Sequence, residues 1–89
     1  MIPKHKIDEI LAATNIEEVV GEYVNLKRSG RQLRALSPFA NEKTPSFYVV
    51  PEKQIFKDFS TGKGGNAVSF LMEHEHFTYP EALRFLAKK

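Results

Sequence analysis

Apolar residues recur at helical spacing at both ends of this chain and at alternate positions through its middle, which predicts helices flanking a sheet. Ile7, Ile10 and Leu11 fall at i, i+3 and i+4, and Pro3 suits a first helical turn, so a helix is expected over residues 3 to 14. Asn15 with Glu18 has the form of a reciprocal N-terminal cap. It would open a second short helix that turns Ile16, Val19 and Val20 inward and ends or bends at Gly21. The period then falls to two. Tyr23-Val24-Asn25-Leu26-Lys27-Arg28 and Gln32-Leu33-Arg34-Ala35-Leu36 alternate around a Ser29-Gly30 turn signal, which predicts a hairpin. Phe47-Tyr48-Val49-Val50 and Gln54-Ile55-Phe56-Lys57-Asp58-Phe59, joined through Pro51-Glu52-Lys53, predict a second hairpin rich in aromatic and β-branched residues. Thr61-Gly62-Lys63-Gly64-Gly65 is expected to end the sheet. Asn66 caps a helix whose inner face holds Val68, Phe70, Leu71 and His74. Thr78 with Glu81 forms a capping box ahead of Ala82, Leu83, Phe85 and Leu86. The fold class is therefore α+β: a small antiparallel sheet flanked by short N- and C-terminal helices.

Size narrows this picture. With 89 residues and 42% hydrophobic side chains, one domain over residues 1 to 89 is expected, with one modest core and no cleft between lobes. No apolar run has the length of a membrane span and the start has no secretory pattern, so no membrane partner and a cytoplasmic location are expected. The sequence has no internal repeat and no low-complexity stretch. Ala87-Lys88-Lys89 follows an apolar face without a stop signal, as in a piece of a longer chain.

Net charge is +2, but its distribution matters more. Residues 1 to 26 carry two Lys against five acids, residues 27 to 63 carry eight Lys or Arg against three acids, and residues 64 to 89 balance. A positive field concentrated in the sheet-forming middle attracts polyanions whatever their sequence, whereas a solvated surface is the plainer reading of any Lys-rich stretch. With no cysteine, disulfides, thiolate metal sites and cysteine nucleophiles are all excluded. His74-Glu75-His76 lacks the spacing of a helical zinc motif, because adjacent helical residues point about 100° apart. Gly62-Lys63-Gly64-Gly65 lacks the P-loop spacing, and no Ser, His and Asp are arranged for nucleophilic work. No catalysis is expected in this chain alone, and no cofactor.

Two segments are more specific. Ser37-Pro38-Phe39-Ala40-Asn41-Glu42-Lys43-Thr44-Pro45-Ser46-Phe47 leads into a strand, and Lys57-Asp58-Phe59-Ser60-Thr61-Gly62-Lys63-Gly64-Gly65-Asn66 leads into a helix. They resemble the CHC2-type zinc-binding domain at the N-terminus of bacterial replicative DNA primases. That family places a Cys-Pro-Phe-His knuckle before Glu-Lys-Thr-Pro-Ser-Phe and a Cys-x-x-Cys knuckle before a Gly-rich turn and helix. The likeness runs from Ile-Glu-Glu-Val-Val at Ile16 to Glu-Ala-Leu-Arg-Phe-Leu-Ala ending at Ala87. It implies a zinc-ribbon-like fold that engages the single-stranded template and helps a polymerase domain, in cis or in trans, to begin an RNA primer in DNA replication.

On that pattern the metal ligands fall at Ser37, Ala40, Asp58 and Thr61, none of them a thiolate or an imidazole. A structural zinc contributes about 10 to 16 kcal/mol in small peptides, so losing every ligand implies a domain adapted, or deliberately built, to fold metal-free. Ser37 is then expected to hold the Pro38-Phe39 turn and Asp58 the Phe59-Ser60 turn through side-chain oxygens, with Ser37, Asp58 and Thr61 bonding one another. For DNA, Arg34, Lys43, Lys57 and Lys63 are the expected phosphate contacts, interleaved with Tyr48, Phe56 and Phe59, while Phe39, Phe47 and at least one of Phe56 and Phe59 are expected in the core. A docking or regulatory module that contacts a primase polymerase domain, or another replication protein, through the acidic N-terminal helices is the competing reading.

Overall fold

A computed structural model of the chain describes residues 2–41 and 43–88. Met1, Glu42, which opens the Glu-Lys-Thr-Pro-Ser-Phe segment, and Lys89 lie outside the described residues. Helix α1 spans Lys4–Ala12, and the carbonyl of Pro3 accepts hydrogen bonds from the N–H groups of Lys6 and Ile7 at its start. Its apolar stripe is only half-buried, and it packs against the last helix, α4 (Tyr79–Ala87). Helix α2, Ile16–Gly21, buries Ile16, Val19 and Val20 as the spacing predicts.

The start of α2 departs from expectation. Asn15 makes no side-chain cap, and the Ile16 N–H donates instead to Gln54 Oε1 at 2.8 Å. Gln54 also donates through Nε2 to Pro51 O at 2.8 Å and to Glu17 Oε1 at 3.1 Å. It holds a left-handed backbone (φ +55°), uncommon for a side chain of this size, at the end of the loop of residues 51 to 54. A residue from the loop between two strands thus satisfies a helix-end donor that a local cap would otherwise serve.

Five strands form one antiparallel sheet in chain order: β1 Lys27–Ser29, β2 Gln32–Ala35, β3 Phe47–Val50, β4 Ile55–Asp58 and β5 Gly64–Gly65. Strand β1 is shorter than predicted because Tyr23 and Val24 continue the helical turn, both N–H groups donating to Val20 O at 2.9 Å. Gly30, at φ +66°, opens the two-residue loop between β1 and β2, and that loop fixes Ser29 opposite Gln32. Contrary to the expectation from its composition, the glycine turn does not end the sheet. Gly64 and Gly65 pair with Lys57 and Phe56 as a short fifth strand. A Cβ on Gly64 would meet the Phe56 carbonyl at 3.1 Å, and one on Gly65 would meet Ser69 Oγ at 2.5 Å, so the strand runs too close to its neighbours for a side chain.

Phe47, Val49 and Phe56 point to one face of the sheet and are buried under α2 and α3 (Ala67–His74), whose Ala67, Val68, Phe70 and Leu71 are buried with them. Phe70 sits at the centre. Its ring lies 5.6 Å from Phe56, 6.0 Å from Phe39 and from Phe47, and 5.1 Å from His74, which stacks on it. Among the described residues no helix covers the opposite face, where Arg34, Ile55 and Lys57 are exposed.

Helix α3 is capped by Asn66, whose Oδ1 accepts from the Ser69 N–H, and Thr78 and Glu81 complete the capping box of α4. The Thr78 backbone N–H, and then its side chain, hold the Glu81 carboxyl below the usual carboxylate range. Because the folded-state value is the lower one, the cap contributes fully above the ordinary glutamate pKa and is lost as pH falls through the folded value. An acid titration followed by NMR should show the Thr78 amide resonance moving with that depressed pKa. Glu81→Gln should remove the titration, and a Thr78 amide that still titrates in this variant would contradict the assignment.

Candidate functional site

Two chain reversals meet at one end of the sheet. The first, residues 37 to 40, follows β2; the second, residues 58 to 61, follows β4. Ser37 Oγ accepts from the Phe39 N–H at 3.1 Å and donates to Asp58 Oδ2 at 2.8 Å. Thr61 Oγ1 donates to the same carboxylate oxygen at 2.7 Å, and the Ser60 N–H approaches Oδ1 at 3.4 Å. The backbone repeats the closure: Gly62 N–H donates to Asp58 O, and Asp58 N–H to Lys63 O, both at 2.8 Å. Asp58 is 0% exposed and Ser37 7%, so these bonds supply partners that water does not. The expected turn-closing bonds are all present, and Ser37, Asp58 and Thr61 meet at a single oxygen. Phe39 leaves the first reversal to pack on Phe47, Phe56 and Phe70, whereas Phe59 leaves the second towards solvent.

The uncovered sheet face carries the second feature. Register places Lys27 opposite Arg34, Arg34 opposite Tyr48, Tyr48 opposite Lys57 and Lys57 opposite Gly64, one row across all five strands. Directly opposed residues in antiparallel strands share a face, so three cations and a tyrosine line up there. Phe59, 67% exposed, meets Tyr48 edge-on at 5.7 Å between ring centres, and Leu36 is also exposed at this end of the sheet. Among the described residues no carboxylate pairs with Lys27, Arg34 or Lys57, while Lys4, Lys6 and Lys63 are paired with Asp8, Glu9 and Glu73. Three cations of the sheet, Lys27, Arg34 and Lys57, thus face outward beside two aromatic rings, with no acidic partner among the described residues.

Of the residues singled out from sequence, Arg34, Tyr48 and Lys57 share this row. Lys43 is exposed in the connection between β2 and β3. Lys63 lies elsewhere: its Nζ is 2.7 Å from Glu73 and 5.9 Å from the centre of the Phe39 ring, at the helical side of the reversals. Phe56 is 1% exposed and belongs to the core, so of the aromatic residues interleaved with the basic ones only Tyr48 and Phe59 reach the open face. Lys27 escaped the sequence reading. The two-residue loop at Gly30 carried the signal, since it sets the register that puts Lys27 beside Arg34.

Residues 2–89 match the family model of the CHC2 zinc finger. The chain belongs to the CHC2 zinc-finger family. DNA primases of Listeria monocytogenes and Geobacillus stearothermophilus are 50% and 52% identical to it over 86 and 88 residues, 97% and 99% of this chain. The chain spans only 14% and 15% of those two relatives. The crystal structure of the Aquifex aeolicus primase, comprising zinc-binding and RNA polymerase domains, matches with a TM-score of 0.89 at 46% identity, over 93% of this chain and 21% of that one. The five-stranded sheet with flanking helices is thus the fold of a primase zinc-binding domain.

This CHC2 domain nonetheless offers zinc a poor site. A tetrahedral structural zinc takes lone pairs from four thiolate or imidazole donors. Here Ser37 and Thr61 direct protons, not lone pairs, at the one carboxylate oxygen between them, and Ala40 has no donor at all. The arrangement is that of a closed hydrogen-bonded turn, and its residues do not fit the metal that the family name implies.

Proposed function

We propose that this chain is the template-binding domain of a DNA primase, that it holds single-stranded DNA across the open face of its sheet, and that it folds without zinc. The row of cations around Tyr48 and Phe59, with no acidic partner among the described residues, is the observation that carries the DNA reading. Phosphates of a flexible strand would lie against Lys27, Arg34 and Lys57, and unstacked bases against the two rings. Three strand spacings separate Lys27 from Lys57, roughly 14 Å, which suits the two or three bases that sheet-based single-strand binders stack. Lys43 extends the positive field from its loop, and Lys63 adds charge beside the reversals in spite of Glu73.

In this reading the domain makes no primer itself. It presents the template, in the cytoplasm, to a polymerase domain in cis or in trans that synthesises the RNA primer. Relatives several times longer than this chain, and a solved neighbour that carries an RNA polymerase domain in the same chain, support such a partner. The half-buried apolar stripe of α1, with Ile2 and Ile10 facing Leu86 of α4 across a shallow groove, favours a protein contact on that side of the domain. Docking and DNA binding would then use different faces.

The DNA reading predicts binding of a labelled single-stranded oligonucleotide that weakens as salt rises. With about −0.7 per phosphate contact on single strands, three cations give a slope near −2 in log affinity against log salt. Arg34→Glu with Lys57→Glu should lower affinity at low salt by about tenfold or more and flatten that slope, for every sequence tested. Fluorescence anisotropy measures both. Absence of any anisotropy change at high protein concentration and low salt would rule out the platform role.

The zinc-free reading rests on the closed Ser37, Asp58 and Thr61 cluster, at the positions where the resemblance to the family puts the ligands. Hydrogen bonds there stand in place of metal bonds, and Ala40 fills space without asking for a partner.

A further inference from the structure

The first hairpin opens at its far end. Lys27 and Arg34 form its last rung, and the same register continued would set Asn25 opposite Leu36. Val24 prevents this, because it is 8% exposed and its N–H is spent on Val20 O, which draws the chain away from β2. The gap left between the diverging segments is a groove of about 360 Å³, within the range of about 300 Å³ and upward that small-molecule clefts occupy. Val24, Ala35, Leu36 and Pro45 give it apolar walls, Asn25 lies at its edge, and Lys27 and Arg34 form the rim that it shares with the basic row.

Resting on the DNA reading above, we propose that this groove seats one nucleobase of the strand that crosses the sheet, and that Asn25 reads its edge. The chemistry of the lining matches such an occupant part by part. Apolar walls accept the faces of a base, as they would any flat ring. The Asn25 carboxamide offers a donor and an acceptor side by side, the pairing that lets Asn contact a base edge through two hydrogen bonds. Among the described residues nothing in the chain holds that carboxamide. Lys27 and Arg34 stand where the phosphates on either side of a seated base would pass, and neither has an acidic partner among the described residues. Tyr48 and Phe59 stack any base alike; the groove is the part of the face that tells one base from another.

The test uses this chain and fluorescein-labelled single-stranded oligonucleotides of about 12 nucleotides. Within an otherwise constant strand, one position at a time carries each of the four bases or an abasic sugar. At one position the base should change affinity by at least about fivefold, and the abasic sugar should weaken binding to a similar degree. In Asn25→Ala the four bases at that position should become equivalent. Asn25 is exposed, so its removal should leave the urea midpoint unchanged, and a shifted midpoint would move the test to Leu36→Asp, at the opposite wall, with the same expected outcome. Retention of base dependence in both variants overturns the proposal, as does wild-type binding that ignores base identity at every position. In either case the salt-sensitive binding that Lys57→Glu weakens would still stand. If wild-type chain binds no strand at all, the platform reading fails, and the groove proposal fails with it.

Discussion

Phe70→Ala should lower the free energy of unfolding by about 3 to 5 kcal/mol, as measured by urea denaturation. Its ring is fully buried and touches the rings of Tyr23, Phe39, Phe47, Phe56 and His74, so no single neighbour can collapse into the space it leaves. Edge-to-face contact with Phe56 and the stacked His74 add to the loss of buried area. A domain of this length has a total stability of about 5 to 10 kcal/mol, so the variant should stand close to its unfolding midpoint without denaturant. Because Phe39 rests on Phe70 and its N–H is tied to Ser37, the first reversal should loosen with the core. A loss below about 1 kcal/mol would show that the aromatic cluster is plastic and that the reversals hold themselves.

Asp58→Ala should cost about 1 to 3 kcal/mol, by a different route. The Ser37 hydroxyl and the Ser60 N–H lose their acceptor in surroundings that water reaches poorly, and Thr61 loses its own. Asp58→Asn should not restore the wild type, since its amide N–H groups would face hydroxyl donors, although either hydroxyl can turn to accept. Excess chelator should leave the wild-type melting curve unchanged, and elemental analysis should find no stoichiometric zinc. Chelator-induced unfolding, or one zinc per chain, would overturn the metal-free reading. Unchanged stability of Asp58→Ala would instead assign the hold on the reversals to packing of Phe39, since Phe59 lies outside the core.

Elements governed by their own few residues were legible in the sequence. The Thr78 capping box, the Asn66 cap, the Gly30 turn and the bonds at Ser37, Asp58 and Thr61 all depend on neighbours close along the chain or on recognised knuckle positions. The misreadings share a cause in contacts from afar. Asn15 has a capping sequence, but Gln54, 38 residues beyond Ile16, reaches the first helical N–H in its place. Tyr23 to Leu26 alternates like a strand, yet burial of Val24 keeps the turn helical there. Gly64 and Gly65 have no strand propensity, and they pair because only glycine fits between β4 and Ser69. At the open face, alternation identified Arg34, Tyr48 and Lys57 as outward, while their alignment into one row depended on register. That register brings in Lys27 and leaves Lys63 on the other side of the domain.

The order of the strands has a consequence for how the chain reaches this state. Each strand pairs with its successor, so the sheet can assemble as a series of local closures whose entropy cost grows only slowly with loop length. Such topologies fold quickly, since few pairings wait on distant partners. Helix α2 is the exception: its first N–H exchanges water for a protein acceptor only when Gln54 arrives from the β3–β4 loop. During synthesis the N-terminal helices would therefore leave the ribosome first and settle late, docking only after the second hairpin has closed. Slowed elongation within residues 47 to 58 should prolong the exposure of Ile16, Val19 and Val20, the three apolar side chains that α2 later buries.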